Sequence, residues 1–333
     1  MVMNCTSKRI PEVHCQVAKK NQRDYMEDRH LVAKLELPGK GTIDLVAVFD
    51  GHAGDEVAEE LIKMFPEMLA DKMDKLSNID APLSVTDALN DTFLAVDYKL
   101  YQGGGFTSGS TGVVALWPPN NYLYIGNLGD SRAVVWSGDH LIVETKDHKP
   151  QHEQERIKAS GGFIEQGRVG GIMAVSRSFG DFKKDLKLLG KRYMGTKAPL
   201  SAQPDIYRVD LRDYPDQVRM VLASDGLWDV YSTREVMEFF NAHDDNGCAN
   251  IITKAIERGS LDNITVMVID IPRCQKARMP SDPLAELLRD AENAHKGKDW
   301  ANWYAGYLLQ HGVRIDPIKD GTTFKTSAYR PLQ

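Results

Sequence analysis

The stretch that decides the fold reads LVAVFDG and covers residues 45–51. An apolar, β-branched run of this kind is typical of a buried strand, and it ends abruptly in Asp50 followed by Gly51. A carboxylate at the mouth of a buried strand is held rigidly, and a neighbouring glycine permits a sharp turn that presents a backbone carbonyl. Hard cations such as Mg²⁺ or Mn²⁺ prefer such oxygen ligands. The alternative for a single Asp-Gly pair is an ordinary turn.

A second stretch repeats this pattern. Residues 218–225 read VRMVLASD, and this apolar run also ends in an acid that is followed by glycine. Two further acidic stretches, RDYMED at 23–28 and LDN at 261–263, lie far away along the chain. A fold that gathers these carboxylates would need divalent cations, because like charges repel one another. The sequence therefore predicts a hydrolase that uses two metal ions.

Eight motifs follow one another between Arg23 and Asp270, and they read QRDYMED, VFDGHAG, GSTGVV, GNLGDSRAV, DHKP, RVGGIMAVSRSFGDF, ASDGLWDV and GSLDNITVMVI. In content and order they resemble the motifs of the metal-dependent, type 2C protein serine/threonine phosphatases, the PPM family. The resemblance implies a phosphatase that acts on phosphoserine and phosphothreonine in proteins with two Mg²⁺ or Mn²⁺ ions. It also implies an α+β fold, an α-β-β-α layered sandwich of two mainly antiparallel sheets flanked by helices.

The resemblance assigns the metal ligands. Asp50 would bridge the two ions, with Gly51 adding its carbonyl, and Asp225 and Asp262 would complete the shell of one ion. Glu27 would reach the other ion directly or through water. Hydroxide between the ions would then attack phosphorus in line with the departing serine or threonine oxygen, without a phosphoenzyme intermediate.

Three further acids belong to the same set. Asp28 is expected to hold metal-bound water, and Asp147 and Asp229 correspond to positions that the family associates with a third, weaker metal. The alternatives are that Asp147 opens a turn before Pro150 and that Asp229 caps the next element.

Arg23 and His52 are the candidate catalytic residues. Arg23 lies four residues before Glu27, where its planar guanidinium can bind phosphate oxygens, and the alternative is a surface cation. His52 can give a proton to the leaving alkoxide, and its place after Asp50 keeps it beside the metals. The alternative for His52 is a histidine that orients a carboxylate or a water molecule.

Composition limits the remaining functions. The chain has 333 residues and a net charge of −6, which argues against nucleic-acid binding because such binding rests on Lys and Arg. No apolar run is long enough to cross a membrane. The cysteines, Cys5, Cys15, Cys248 and Cys274, show no zinc spacing and no arginine six residues on, so we expect reduced thiols and no cysteine-based catalysis. We expect a monomer in the cytoplasm, with the nucleus as a further compartment, and phosphoproteins as its partners.

Periodicity predicts the main helices and strands. Residues 53–73 form a helix that Pro66 should kink, and a second helix begins at Ser84 with Asp87 in a capping box. Two later helices are predicted at 232–242 and 247–258. The predicted strands read GVVALW, YLYIGN, RAVVWS, HLIVE and ITVMVID.

Two domains are predicted, a catalytic domain at residues 1–273 and an extension with a tail at 274–333. Apolar stripes at helical spacing within 284–291 and 300–308 predict a C-terminal helical hairpin, which we expect to dock on the catalytic domain or to form a docking surface for a partner. Arg177 and Asp181 are predicted to form a buried ion pair.

Two rival functions remain open from the sequence. A catalytically inactive binding module on the same fold would lack a ligand acid, whereas every core acid is present here. A two-metal hydrolase of small phosphoesters differs from a protein phosphatase only in its substrate, so an assay has to separate them.

Overall fold

The computed structural model describes residues 12–104, 106–182, 198–214, 216–242 and 247–271, with the backbone of 315–317 and 324–326. The chain divides into two compact units, residues 8–274 and residues 1–7 together with 275–333. The smaller unit contributes an antiparallel pair of short strands, Ile315–Pro317 with Phe324–Thr326. The predicted helical hairpin, Cys5 and Cys274 lie outside the described residues.

The larger unit is built on two five-stranded antiparallel sheets. In the first sheet the strands lie in the order β13 (Asp205–Asp210), β7 (Tyr122–Leu128), β6 (Gly112–Trp117), β3 (Gly41–Phe49) and β2 (Arg29–Leu37). In the second the order is β1 (Glu12–Lys19), β15 (Ile264–Ile271), β14 (Val218–Ala223), β8 (Arg132–Ser137) and β9 (His140–Glu144).

Helices and short strands complete this unit. Among the described residues the α-helices are α1 (Glu56–Asp74), α2 (Pro82–Gly103), α3 (Gln154–Ala159), α4 (Asp225–Trp228), α5 (Thr233–Ala242) and α6 (Gly247–Glu257), with 3₁₀ turns at Pro150–Glu153 and Leu211–Asp213. A three-stranded sheet has the order β12 (Phe179–Gly180), β5 (Gly109–Ser110) and β4 (Gly51–His52), and β10 (Ile164–Glu165) pairs with β11 (Arg168–Val169).

Alternation along the central strands explains the layering. On β3, Leu45 and Phe49 belong to the core that the first sheet shares with α1 and α2, whereas Val46 and Val48 belong to the core between the two sheets. Successive side chains of a strand point to opposite faces, so a strand that is apolar throughout is buried on both. The second sheet packs its other face on α4, α5 and α6. This α-β-β-α sandwich confirms the predicted fold class.

The helix starts differ from the predicted ones. Helix α1 begins at Glu56, because the backbone at Ala53 is left-handed (φ 58°) and cannot continue a right-handed helix. Helix α2 begins at Pro82, so the predicted capping box at Ser84 is wrong. Proline suits the first helical position because the N–H that it lacks would have no partner there.

A disulfide joins Cys15 on β1 to Cys248 on α6, so the expectation of reduced thiols is wrong for these two residues. Strand β1 pairs along β15, and α6 packs on the same sheet, which brings the two Cα atoms to 5.9 Å. The two cysteines are 233 positions apart, so no local sequence pattern predicts the disulfide.

Replacing Cys15 with Ser should lower the free energy of unfolding by about 2 to 5 kcal/mol, because the disulfide restricts the unfolded chain. Urea unfolding of both proteins, with and without a reductant, measures the effect. The reduced wild type should approach the variant. A variant that unfolds at the same urea concentration as the oxidised wild type would contradict a stabilising role for the bond.

Among the described helices, none is long and apolar enough to cross a membrane.

Candidate active site

The two central strands deliver Asp50 and Asp225 to one place. Asp50 follows β3, and Asp225 opens α4 just after β14. Burial raises the pKa of Asp50 well above its ordinary value, and the charges of Asp28 and Asp225 raise it further. Burial also raises the pKa of Asp225, with the charge of Asp130 adding to the effect. These carboxylates therefore lie close enough to repel one another in a poorly solvated place.

Asp28 is the most enclosed member of this group and is 3% exposed. Its Oδ2 atom accepts hydrogen bonds from Ser224 Oγ (2.8 Å) and Thr265 Oγ1 (2.7 Å), whereas its buried Oδ1 has no hydrogen-bond partner in the described part of the chain. Burial raises the pKa of Asp28 to about 6. A buried carboxylate oxygen without a partner points to a positive group that would satisfy it.

Asn263 holds two distant loops together. Its Nδ2 donates to the carbonyls of Lys20 (2.8 Å) and Tyr25 (3.1 Å), and its Oδ1 accepts from the Glu27 backbone N–H (2.7 Å). The loop that carries Arg23 and the loop that carries Asp262 therefore meet, and Arg23 Nη2 lies 2.5 Å from Asp262 Oδ2. The Arg23 side chain is 51% exposed, so it lies at the rim.

Glu27 is fastened to the segment that follows β3. Its Oε1 accepts a hydrogen bond from the Gly54 backbone N–H at 2.6 Å. A Cβ atom on Gly51 would lie 2.6 Å from the Glu27 carbonyl oxygen, so glycine is required at position 51 for this close approach. The structure thus places Glu27 beside Gly51, the residue that follows Asp50, and the role of these residues as metal ligands stays a prediction.

His52 is paired with Asp181, since its Nε2 lies 2.9 Å and 3.0 Å from the two carboxylate oxygens. The predicted ion pair between Arg177 and Asp181 is wrong. Arg177 Nε instead donates to Glu153 Oε1 at 2.9 Å, and its Nη1 donates to Asp205 Oδ1 at 2.9 Å. Two other acids bind the guanidinium, and the Asp181 carboxylate instead contacts His52 and accepts a hydrogen bond from Ser178 Oγ.

Asp130 belongs to the acidic group although the sequence analysis did not single it out. It is buried in the turn after β7, its charge raises the pKa of Asp225 and Asp50, and Lys149 Nζ donates a hydrogen bond to its Oδ2. The signal was present, because the strand YLYIGNL also runs into a Gly-Asp pair.

The two acids predicted for a third metal have different surroundings. Both oxygens of Asp147 are bound by Arg132, with Nε at 2.9 Å and Nη2 at 2.7 Å, so its charge is already compensated. Asp229 is the C-cap residue that follows α4, and burial raises its pKa while the Lys149 ammonium opposes the shift. The third-metal assignment stays a prediction for both residues.

The acidic group fits hard divalent cations by charge and donor chemistry. Within the residues that the structure describes, no three His, Cys, Asp or Glu side chains lie close enough together to coordinate a metal ion in their present positions. Asp28, Asp50 and Asp225 nevertheless supply only oxygen donors and have raised pKa values, and Asp28 is buried while the other two are partly exposed. Mg²⁺ or Mn²⁺ would compensate this charge and would suit the unpartnered Asp28 oxygen.

Comparison with known proteins agrees with the geometry. The sequence matches the family described as "Protein phosphatase 2C" over residues 14–264. It is 34% identical to protein phosphatase 1L of Bos taurus over 273 residues, which is 77% of this chain and 71% of the relative. It is 33% identical to protein phosphatase 1A of Homo sapiens over 268 residues, or 75% and 68% of the two chains.

A solved structure shows the same fold. The serine-threonine phosphatase 2C from Toxoplasma gondii superposes with a TM-score of 0.61 at 26% identity, covering 77% of this chain and 93% of that one. Family match and relatives confirm the resemblance drawn from the eight motifs, and phosphatases of this family generally depend on Mg²⁺ or Mn²⁺. The chain therefore belongs to the protein phosphatase 2C family and is a protein serine/threonine phosphatase.

Proposed function

We propose that this phosphatase uses two Mg²⁺ or Mn²⁺ ions to hydrolyse phosphoserine and phosphothreonine in proteins, in one in-line displacement by water without a phosphoenzyme intermediate. One observation carries the proposal: Asp28, Asp50 and Asp225 lie near one another, buried or partly buried, with raised pKa values, and the Arg23 guanidinium lies at the rim of this group. Concentrated negative charge beside a phosphate-binding cation suits metal-assisted phosphoryl chemistry.

Asp50, Asp225 and Asp262 would hold the ions, together with Glu27 and the carbonyl of Gly51. When bound, the ions supply Lewis-acid charge that activates water and polarises the phosphate. The chain contributes a partly enclosed setting, because Asp50, Asp225 and Asp262 are only partly exposed to solvent. Hydrogen bonds from Ser224 and Thr265 fix the Asp28 carboxylate behind these ligands.

Arg23 would bind the phosphate while it keeps its contact with Asp262. One Nη2 hydrogen bond holds the carboxylate, and a guanidinium has five N–H donors in a fixed fork. The remaining donors can bind phosphate oxygens, and charge-assisted bonds of this kind are strong and directional.

His52 would donate the proton to the leaving serine or threonine oxygen. Because its Nε2 is engaged by Asp181, Nδ1 is the ring nitrogen with which it would reach the substrate. Any third cation near Asp130 would have to compete with the Lys149 ammonium, which already binds that carboxylate.

Turnover of a phosphoserine and phosphothreonine peptide panel, with Mn²⁺ and with EDTA, tests the proposal, and small phosphoesters serve as rival substrates. Mn²⁺-dependent peptide hydrolysis supports it. Hydrolysis of small phosphoesters alone would replace the substrate class, and turnover that survives EDTA would overturn the metal assignment.

His52→Gln should slow phosphoserine peptides about 100-fold or more while it slows p-nitrophenyl phosphate much less, because an alkoxide needs a proton to leave and nitrophenolate scarcely does. The kcat for each substrate measures this ratio. His140→Gln, on the exposed strand β9, is the matched control and should leave both rates unchanged. Equal slowing of both substrates by His52→Gln would favour the orienting role instead.

A further inference from the structure

The small three-stranded sheet places His52 and Asp181 on either side of one glycine. In the register of this sheet, Gly109 pairs with His52 of β4 and with Gly180 of β12, next to Asp181. A Cβ atom on Gly109 would collide with Asp181 Oδ2 and would lie 2.5 Å from His52 Nε2. The space left by the missing side chain is therefore where the imidazole and the carboxylate meet.

Asp181 is held firmly in this place. Its side chain is 0% exposed, Ser178 Oγ donates to its Oδ2 at 2.7 Å, and its backbone N–H donates to the Ser108 carbonyl at 2.9 Å. Its backbone is left-handed (φ 60°). This conformation costs a non-glycine residue about 1 to 3 kcal/mol and persists only where the surrounding structure imposes it. The surrounding structure therefore holds Asp181 in an unfavourable backbone conformation that directs its carboxylate towards His52.

We propose that Asp181 is a positioning residue for His52 in the phosphatase reaction, a role that rests on the proposed function of His52. An ionised carboxylate only accepts hydrogen bonds, so the imidazole must present an N–H at Nε2. Both oxygens lie within hydrogen-bond reach of that nitrogen, at 2.9 Å and 3.0 Å, which fixes the rotation of the ring. The other nitrogen, Nδ1, is thereby kept for the substrate.

Stability alone does not account for this arrangement. A buried acid paired with a histidine is weak evidence for stability, because the cost of removing the charged groups from water offsets their attraction. For histidines that bind a metal, loss of the partner that orients the ring typically costs about 10- to 100-fold in metal affinity or activity, and we expect a loss of similar size for a histidine that donates a proton. We therefore interpret the contact between Asp181 and His52 as one that orients the imidazole ring.

Asp181→Asn tests the proposal with little change in volume. We expect the kcat for a phosphoserine peptide to fall about 10- to 100-fold and the kcat for p-nitrophenyl phosphate to fall much less, with KM for both nearly unchanged. The matched control is Asp97→Asn. Asp97 is a buried acid on α2, and its Oδ1 accepts a hydrogen bond from the backbone N–H of Gly180, the residue before Asp181. Asp97→Asn should show no such substrate difference.

Combining Asp181→Asn with His52→Gln separates positioning from a structural role. If Asp181 acts through His52, the double variant should be no slower on phosphoserine than His52→Gln alone. Losses that multiply, or equal losses on both substrates, would overturn the proposal. Should Asp181→Asn fail to fold, Ser178→Ala removes one donor to the same carboxylate and should give a smaller loss with the same substrate preference.

Ring ¹⁵N NMR of His52 gives a readout that does not depend on turnover. The wild type should show a protonated Nε2, and Asp181→Asn should change the tautomer or broaden the signal. An unchanged ring signal would overturn the inference. A wild type that is inactive on phosphopeptides would instead refute the proposed function, whereas an active wild type with selective loss only in His52→Gln would refute the Asp181 role alone.

Discussion

Asp50→Asn is expected to lower metal-dependent turnover by about 1,000-fold, equivalent to about 4 kcal/mol of lost transition-state stabilisation, while leaving the protein folded. Asp50 follows the central strand β3, and its proposed place as a ligand of both ions means that its loss would weaken the binding of each. Steady-state kinetics over a range of Mn²⁺ concentrations measures the loss. Asp44→Asn, on the same strand but paired with Lys34 (3.7 Å), is the matched control and should retain full activity.

The same variant should be more stable than the wild type when both are free of metal. Burial and mutual repulsion raise the pKa of Asp50, Asp225 and Asp28, the last to about 6. A raised carboxyl pKa gives stability that is present below the unfolded value of about 4 and is lost as the pH rises through the folded value. As the pH rises from 4 to 8 in EDTA, the free energy of unfolding measured in urea should therefore fall less for Asp50→Asn than for the wild type. Identical pH profiles, or near wild-type turnover in Mn²⁺, would contradict the assignment of Asp50.

Arg23→Ala should weaken transition-state binding by about 2 to 4 kcal/mol, or about 30- to 1,000-fold in kcat/KM, for every phosphoester. The half-exposed guanidinium lies against Asp262 at the rim of the acidic group, so its removal takes away the donors proposed to bind phosphate. Kinetics with phosphopeptides and with p-nitrophenyl phosphate measures the loss. Arg212→Ala removes an arginine of similar exposure that pairs with Asp210, and it should have no effect.

Calorimetric titration with Mn²⁺ decides between the two roles open to Arg23. If Arg23 binds phosphate, the variant should bind Mn²⁺ with nearly unchanged affinity. If Mn²⁺ affinity falls and excess Mn²⁺ restores the rate, Arg23 serves to hold the Asp262 carboxylate instead.

The central strands could be predicted because burial on both faces leaves a continuous apolar run, as in β3 and β14. The edge strands β1 and β2 were not predicted. Their residues EVHCQVAK and RHLVAKLEL are mixed in polarity and half-exposed, so periodicity alone carries little signal.

The acids of the site were predictable for a similar reason, since strand ends and motif order marked Asp50 and Asp225. Asp130 follows β7 in a similar Gly-Asp pair, but such a pair by itself is also typical of an ordinary turn, so the sequence does not single it out. The roles of Asn263 and Asp181 were beyond sequence reasoning. The hydrogen bond from Asn263 to Lys20 spans 243 positions, and that between His52 and Asp181 spans 129. Such pairs meet only after the sheets have formed.

The bond between Cys15 and Cys248 also determines how the chain responds to a protease. A cut within the intervening residues would yield two peptides that stay one covalent molecule, because both flanks of the cut are tied at the disulfide. A cut in the chain between β3 and β14 would leave Asp50 and Asp225 on different peptides. Strand pairing and the disulfide would still hold these peptides together. The nicked protein would keep its intact mass on a non-reducing gel and would separate into fragments only when a reductant was added.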